Sequence, residues 1–316
     1  MMFKFLLSLF LILNCYGKDI KPTFTLYSKG FVNDFVIDKD KIYVGNDEGS
    51  VEIFDLPTQK LVGEIFIEPI LTSQKTWKNA NILSVDRFNN KTLIISNDKG
   101  PYTNAWIHDG KILTHTISPN KKLSIKKAKF LNDNTLFLGT LGYEISVFNS
   151  SDNYQEYITQ PEQSSFSDLV LSEDKKTVVT ASESGQVILS DVKSGKILKE
   201  FQALNLDKIF QLAYKNDIII TAGQDRRVVV YNKNIKPFYI KSNFLVYSVG
   251  LSPSGKIGIY SSNTDNDLQL FNTKNGKKTD ILKGHYAKPS IIKFYDENSL
   301  FSAGFENKIF YWRLDS

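Results

Sequence analysis

KIYVGNDEGSVEIFDL, residues 41–56, holds the unit from which the rest of the chain can be read. A strand-like stretch runs into the polar turn Asp47-Glu48-Gly49. A second strand then ends on an aromatic, Phe54, followed by Asp55. The same plan recurs as NTLFLGTLGYEISVFN (134–149), TVVTASESGQVILSDV (177–192) and IIITAGQDRRVVVYN (218–232), then as GIYSSNTDNDLQLFN (258–272) and LFSAGFENKIFYWRL (300–314). The position that closes the second strand holds Phe54, Phe148, Ser190, Tyr231, Phe271 and Trp312. From Phe148 onward the steps are 42, 41, 40 and 41 residues. Trp106 lies 42 residues before Phe148 and completes a set of seven. The first interval is then 52 residues, which places an insertion of about ten residues, within 68–81, before the second unit.

Each unit holds four short alternating stretches. In the fourth they are FSDLVLS, TVVTASE, QVILSDV and ILKEFQA, separated by Glu173-Asp174-Lys175, Ser184-Gly185 and Lys193-Ser194-Gly195. Period-2 alternation broken by such turns is the signature of an antiparallel meander. A four-stranded sheet cannot bury both faces alone, but sheets stacked radially bury one another. The expected fold is therefore all-β, a propeller of seven blades, with six or eight the neighbouring counts.

The chain resembles the WD40-repeat family over roughly residues 23–316. The last unit carries the likeness best. Gly284-His285, Ser302-Ala303-Gly304, Glu306 and Trp312 stand at the family's Gly-His, strand Ser, turn Asp and strand Trp. In that family His, Ser, Asp and Trp form a structural hydrogen-bond chain. Glu306 replaces the Asp here, which puts that chain in question. The last unit stops after three strands, while TFTLY at 23–27 precedes the first full unit. The resemblance implies that this orphan strand completes the final blade and closes the ring, leaving no exposed sheet edge.

Residues 1–17 read as a secretory leader: Lys4, the apolar run Phe5 to Leu13, and the small-residue pattern Cys15-Tyr16-Gly17 before a cleavage site. The propeller is then residues 18–316, and the expected location is the periplasm. Cys15 is the only cysteine and fits a lipidation site poorly, because Asn14 precedes it. A chain processed after Gly17 has no cysteine for a disulfide, thiolate metal site or nucleophile. The formal charge of +5 is mild and does not indicate nucleic-acid binding.

No nucleophile motif or phosphate loop appears. His108 and His115 are seven residues apart but lack a third ligand at a recognisable spacing. His285 reads as the structural His of the resembled family. Quinone-dependent propeller enzymes carry Trp-rich docking repeats and vicinal cysteines. This chain has three Trp in unrelated contexts and one Cys. Neither a catalytic residue nor a cofactor is expected.

Three features are candidates for protein binding. Trp77 sits in the insertion EPILTSQKTWKNAN, where no apolar alternation explains it; it is either an exposed binding anchor or a ring that folds back to cover the blade beneath. Phe31, Phe166, Phe210 and Tyr247 come just before or at the start of the first strand of their units. There they either ring one mouth of the central channel or pack between blades. Lys126 and Lys127 belong to a basic stretch with Lys121, Lys122 and Lys129, which either meets an acidic protein patch or anionic headgroups or is simply a solvated loop followed by outward strand positions.

The expected function is that of a non-enzymatic periplasmic interaction scaffold, monomeric, with a protein partner and neither nucleic acid nor a transmembrane anchor. Through its architecture and first blade the chain also resembles the NapL-type accessory proteins of bacterial periplasmic nitrate reductase systems. That resemblance implies a partner among the reductase subunits and a role in maturation or electron delivery by contact. It implies no molybdenum, haem or iron–sulfur centre in this chain. Two other readings stand beside it: an exported hydrolase or lyase using channel carboxylates, and an outer-membrane assembly component.

Overall fold

The computed structural model describes residues 17–201 and 203–315. The leader features Lys4, Phe5 to Leu13 and Cys15 lie outside the described residues.

Seven antiparallel sheets follow one another along the chain. Blade 1 comprises Val32–Asp38, Lys41–Asn46, Ser50–Asp55 and Lys60–Phe66. Blade 2 comprises Ile82–Phe88, Lys91–Asn97, Thr103–His108 and Leu113–Ile117. Blade 3 comprises Ile125–Phe130, Thr135–Thr140, Ile145–Asn149 and Tyr154–Thr159. Blade 4 comprises Phe166–Leu171, Thr177–Ser182, Val187–Asp191 and Ile197–Glu200. Blade 5 comprises Ile209–Lys215, Ile218–Gly223, Arg227–Asn232 and Ile235–Lys241. Blade 6 comprises Val249–Leu251, Ile257–Ser261, Leu268–Asn272 and Lys278–Leu282. Blade 7 opens with Pro289–Asp296, Ser299–Gly304 and Lys308–Arg313.

Burial follows strand position. The second strands are covered on both faces, so stretches such as IIITAG and TLFLGT are buried almost throughout. The outermost strand Tyr154–Thr159 alternates exposed and half-buried positions. Seven hydrophobic clusters form, one at each junction between neighbouring blades. The cluster joining blades 7 and 1 packs Phe301, Ile291 and Ile309 against Phe35, Val44 and Phe54. Seven junctions for seven blades means the ring has no gap.

Phe24–Tyr27 pairs antiparallel with Lys308–Arg313, with Leu26 opposite Ile309. The orphan strand thus completes blade 7, as the resemblance implied. A second strap was not foreseen. Asp19–Ile20 runs parallel to Lys278–Leu282 and gives blade 6 a fifth strand. Ile20 is buried, and Asp19 pairs with Lys283 at 2.7 Å.

The polar chain of blade 7 forms despite the Asp-to-Glu replacement. Trp312 Nε1 donates to Ser302 Oγ at 2.8 Å, which leaves that hydroxyl to donate to His285 Nε2 at 2.7 Å. The ring proton then sits on Nδ1, 2.7 Å from Glu306 Oε1. The extra methylene of glutamate is accommodated, and all four groups are buried. Blade 5 carries a substituted version at matching positions. Thr221 Oγ1 donates to Asn205 Oδ1, and Asn205 Nδ2 donates to Asp225 Oδ1 at 3.2 Å.

Candidate functional site

The innermost strand of each blade lines a central channel, and a polar contact bridges every blade junction there. Asp34 of blade 1 accepts from Val85 N–H of blade 2 at 2.9 Å. Asp86 accepts from Phe130 N–H of blade 3 at 2.8 Å and from Lys129 Nζ at 2.9 Å. Lys127 of blade 3 pairs with Asp168 of blade 4, whose other oxygen accepts from Leu212 N–H of blade 5 at 3.0 Å. Gln211 accepts from Val249 N–H of blade 6, and Ser248 donates to Pro289 O of blade 7, both at 3.0 Å. Lys293 of blade 7 closes the circle on Asp34 at 2.9 Å.

These contacts set the chemistry of the channel. Burial alone pushes the Asp34 carboxyl up. The ammonium groups of Lys293, Lys129 and Lys127, with the Val85 N–H, outweigh that and hold it at about 2. Asp34, Asp86 and Asp168 are each engaged by a lysine and a neighbouring backbone amide. The hydrolase or lyase reading asks for two channel carboxylates facing each other, whereas each of these three meets a lysine and a backbone amide.

Lys127 and Lys129 therefore do not occupy outward, solvated positions, as the sequence reading had them. Ala128 and Phe130 are fully buried between the blades, as alternation requires. The opposite side of an innermost strand, however, is the channel. Its acids pull both lysines in.

Where the chain enters each blade, the strand is kinked. In six blades the first strand carries a β-bulge, at Asn33, Leu83, Lys126, Ser167, Phe210 and Ser290. A bulge leaves one residue unpaired and re-aims its side chain. These six line a cavity of about 300 Å³ at the upper mouth of the channel. A second cavity, of about 430 Å³, opens at the lower end beside Lys129, Lys175, Tyr214, Leu251 and Phe294.

The bulges separate the four predicted aromatics. Phe210 is a bulge residue, and its ring lies 5.2 Å from that of Tyr247, both half-buried. Phe166 falls one position earlier. It is fully buried against Gly139 and Tyr143, so it packs between blades 3 and 4 and presents no surface to a partner. Phe31 is 54% exposed and stands outside the mouth. Lys126 turns away from the acids, and its Nζ donates to Phe166 O at 3.1 Å.

Trp77 does not fold back onto the blade. It lies in the small hairpin of Ile70–Leu71 and Trp77–Lys78 and is 71% exposed. Other upper-face residues escaped the sequence reading: Leu141, Leu206, Tyr286 and Phe305 are exposed in loops on the same side as Phe31. An apolar residue inside a turn such as Gly304-Phe305-Glu306, where packing does not call for one, is the signal that marks them. Towards the lower face Leu61, Tyr154, Leu198 and Tyr295 are exposed within strands near that end, and among the described residues Ile112 is the large exposed apolar residue in a lower loop. The histidines of blade 2 have separate partners. His115 stacks on Trp106 and bonds Asn104, and His108 accepts from Gly110 N–H. No group of three metal-ligating side chains exists among the described residues.

No known protein-family profile matches the chain, and no curated protein does. Solved structures do. The Cps50 (Swd1) β-propeller domain of Myceliophteria thermophila has a TM-score of 0.74 at 15% identity, covering 92% of this chain and 98% of that one. A chain of the Mitotic Checkpoint Complex has a TM-score of 0.76 at 13% identity, covering 94% and 92%. The fold is a WD40-like seven-bladed β-propeller. At these identities the likeness between the propellers is one of fold. No helix among the described residues of this propeller is long and apolar enough to cross a membrane.

Proposed function

We propose that this propeller is a non-enzymatic scaffold that docks a protein partner on its upper face. The observation that carries the reading is the asymmetry of exposed apolar residues. Phe31, Leu71, Trp77, Leu141, Leu206, Tyr286 and Phe305 all lie in upper-face loops or the hairpin of the insertion. Exposed aromatics in loops on a rigid scaffold are the usual anchors of protein contacts. One of the similar solved chains also comes from a protein complex.

The finer proposal is a periplasmic accessory factor for nitrate reductase, acting by contact and holding no redox centre. The N-terminal leader pattern supports export, and the first-blade resemblance to NapL-type proteins supports the partner. The test is affinity capture of the tagged chain from periplasm, followed by mass spectrometry, with Trp77→Ala and Phe31→Ala in parallel. A reductase subunit that is retained by the parent and reduced in the variants is the expected result. Retention of outer-membrane insertase components would favour the assembly reading instead. Equal capture by parent and variants would remove both aromatics from the interface.

A further inference from the structure

Resting on the upper-face reading, we propose that the channel mouth between blades 3 and 7 takes an acidic peptide segment of the partner. Lys126 and Lys288 supply the charge, and Phe210, Tyr247 and Phe305 supply the apolar contacts.

Two ammonium groups at the mouth have no carboxylate in ion-pair contact among the described residues. Lys126 and Lys288 are both half-buried, and neither forms an ion pair among the described residues. Each is held by aromatic rings. Lys288 Nζ lies 4.5 Å from the Tyr247 ring centre and 3.9 Å from that of Phe305. Lys126 lies 6.0 Å from the ring centre of Phe166 and bonds that residue's carbonyl. Ring faces orient a cation but do not neutralise it. A partly desolvated charge without a partner is a standing cost that an entering anion relieves. Burial pulls both ammonium groups below the usual lysine range; at Lys126 the neighbouring Lys208 adds to it, while the charges of Asp168 and Glu183 offset it only in part.

The two groups belong to one surface. From Lys126 the arc passes to Lys208, whose Nζ lies 5.9 Å from the Phe210 ring centre, and on to Tyr247 beside Phe210. It ends at Lys288 and Phe305. Lys208 is paired with Glu183, so the arc offers two free charges separated by apolar rings. The adjoining cavity adds neutral hydrogen-bonding groups from Asn33, Ser167 and Ser290. Carboxylates spaced by apolar side chains match this pattern. A single-stranded nucleic acid repeats its charge at every nucleotide without apolar spacing, which two free ammonium groups set apart by rings do not match.

The test uses the full chain and a fluorescein-labelled eight-residue peptide that alternates Asp with Leu or Phe, read by fluorescence anisotropy. Its Asn counterpart and an eight-nucleotide single-stranded DNA serve as comparisons. The Asp peptide should bind at least about tenfold more tightly than the Asn peptide. Lys126→Met and Lys288→Met, which keep the aliphatic stem, should each weaken it by about tenfold, whereas Lys196→Met on the lower face should leave it unchanged. Far-ultraviolet circular dichroism checks that each variant is folded. Absent binding, equal affinity for the Asn peptide, insensitivity to both lysine variants, or tighter binding of the DNA would each overturn the proposal. If the peptide fails while capture still depends on Trp77 or Phe31, only the acidic segment is lost. If that dependence fails as well, the upper-face reading goes with it.

Discussion

Lys126 and Lys127 are neighbours in sequence and end in opposite situations. Lys127 enters the channel and pairs with Asp168, while Lys126, on the bulge, lies against Phe166 at the rim with no carboxylate in ion-pair contact. The contrast extends around the mouth. Inside, Lys127, Lys129 and Lys293 each meet an aspartate that also accepts a backbone N–H from the blade beside it. At the rim, Lys126 and Lys288 meet rings. The interior set ties blades together, and the rim set is left to meet something else. The same residue type serves stability or recognition according to which charges the ring brings to it.

The largest test of this contrast is Asp168→Ala. It strips Lys127 of its counter-ion and leaves Leu212 N–H unbonded, and should cost about 4 kcal/mol in urea unfolding at pH 7. Replacing both members, Asp168→Leu with Lys127→Met, should recover most of that loss, since a buried pair is nearly neutral against an apolar one. Failure of the double variant to recover would mean that the backbone contact to blade 5 dominates.

Acid is the next probe. The Asp34 carboxyl sits at about 2 in the fold against 3.8 in the unfolded chain. Its contribution is therefore present above pH 4 and lost as pH falls through 4 towards 2. The loss is about 2 kcal/mol. Asp34→Asn should be less stable at pH 7 by a similar amount, with a flatter acid limb in unfolding followed by fluorescence. An unchanged acid limb would show that Asp34 is not what the interior lysines stabilise.

Smaller effects are expected at the rim. Lys288→Met removes a half-buried charge that has no ion pair but also its two ring contacts, and these opposing effects should keep the change in unfolding free energy within about 0.5 kcal/mol. A loss comparable to that of Asp168→Ala would make the rim lysine structural and erase the distinction. Smallest of all, Trp77→Ala should leave the melting temperature within about 1 °C of the parent, because the side chain is 71% exposed in a two-stranded hairpin outside the blades. Any measurable destabilisation would place that ring in the core of the insertion.

The blades were legible because their signals are local. Strand alternation, turn residues and the recurring aromatic lie within sixteen residues of one another, as in 41–56. The mouth was legible only in part. Phe210 lies on its bulge at the mouth with Tyr247 beside it, whereas Phe166, at nearly the same point of its repeat, is offset by one residue, enough to turn its ring into the core. Counting periods cannot detect a one-residue bulge. Lys288 and Phe305 went unremarked for a related reason. Their meeting with Tyr247 joins residues from two blades across a loop. The strand Asp19–Ile20 has only two residues and no pattern to read.

By itself, the sequence determined the strand unit, its recurrence about every forty residues and the presence of a further strand before the first unit. Each of these is written in short-range alternation, which the chain carries wherever it goes. The tertiary structure alone decided which lysines find aspartates, which way each bulge points, and which loops share a face. Those outcomes depend on distances between residues about forty or more positions apart, and such distances exist only once seven sheets are set around one axis.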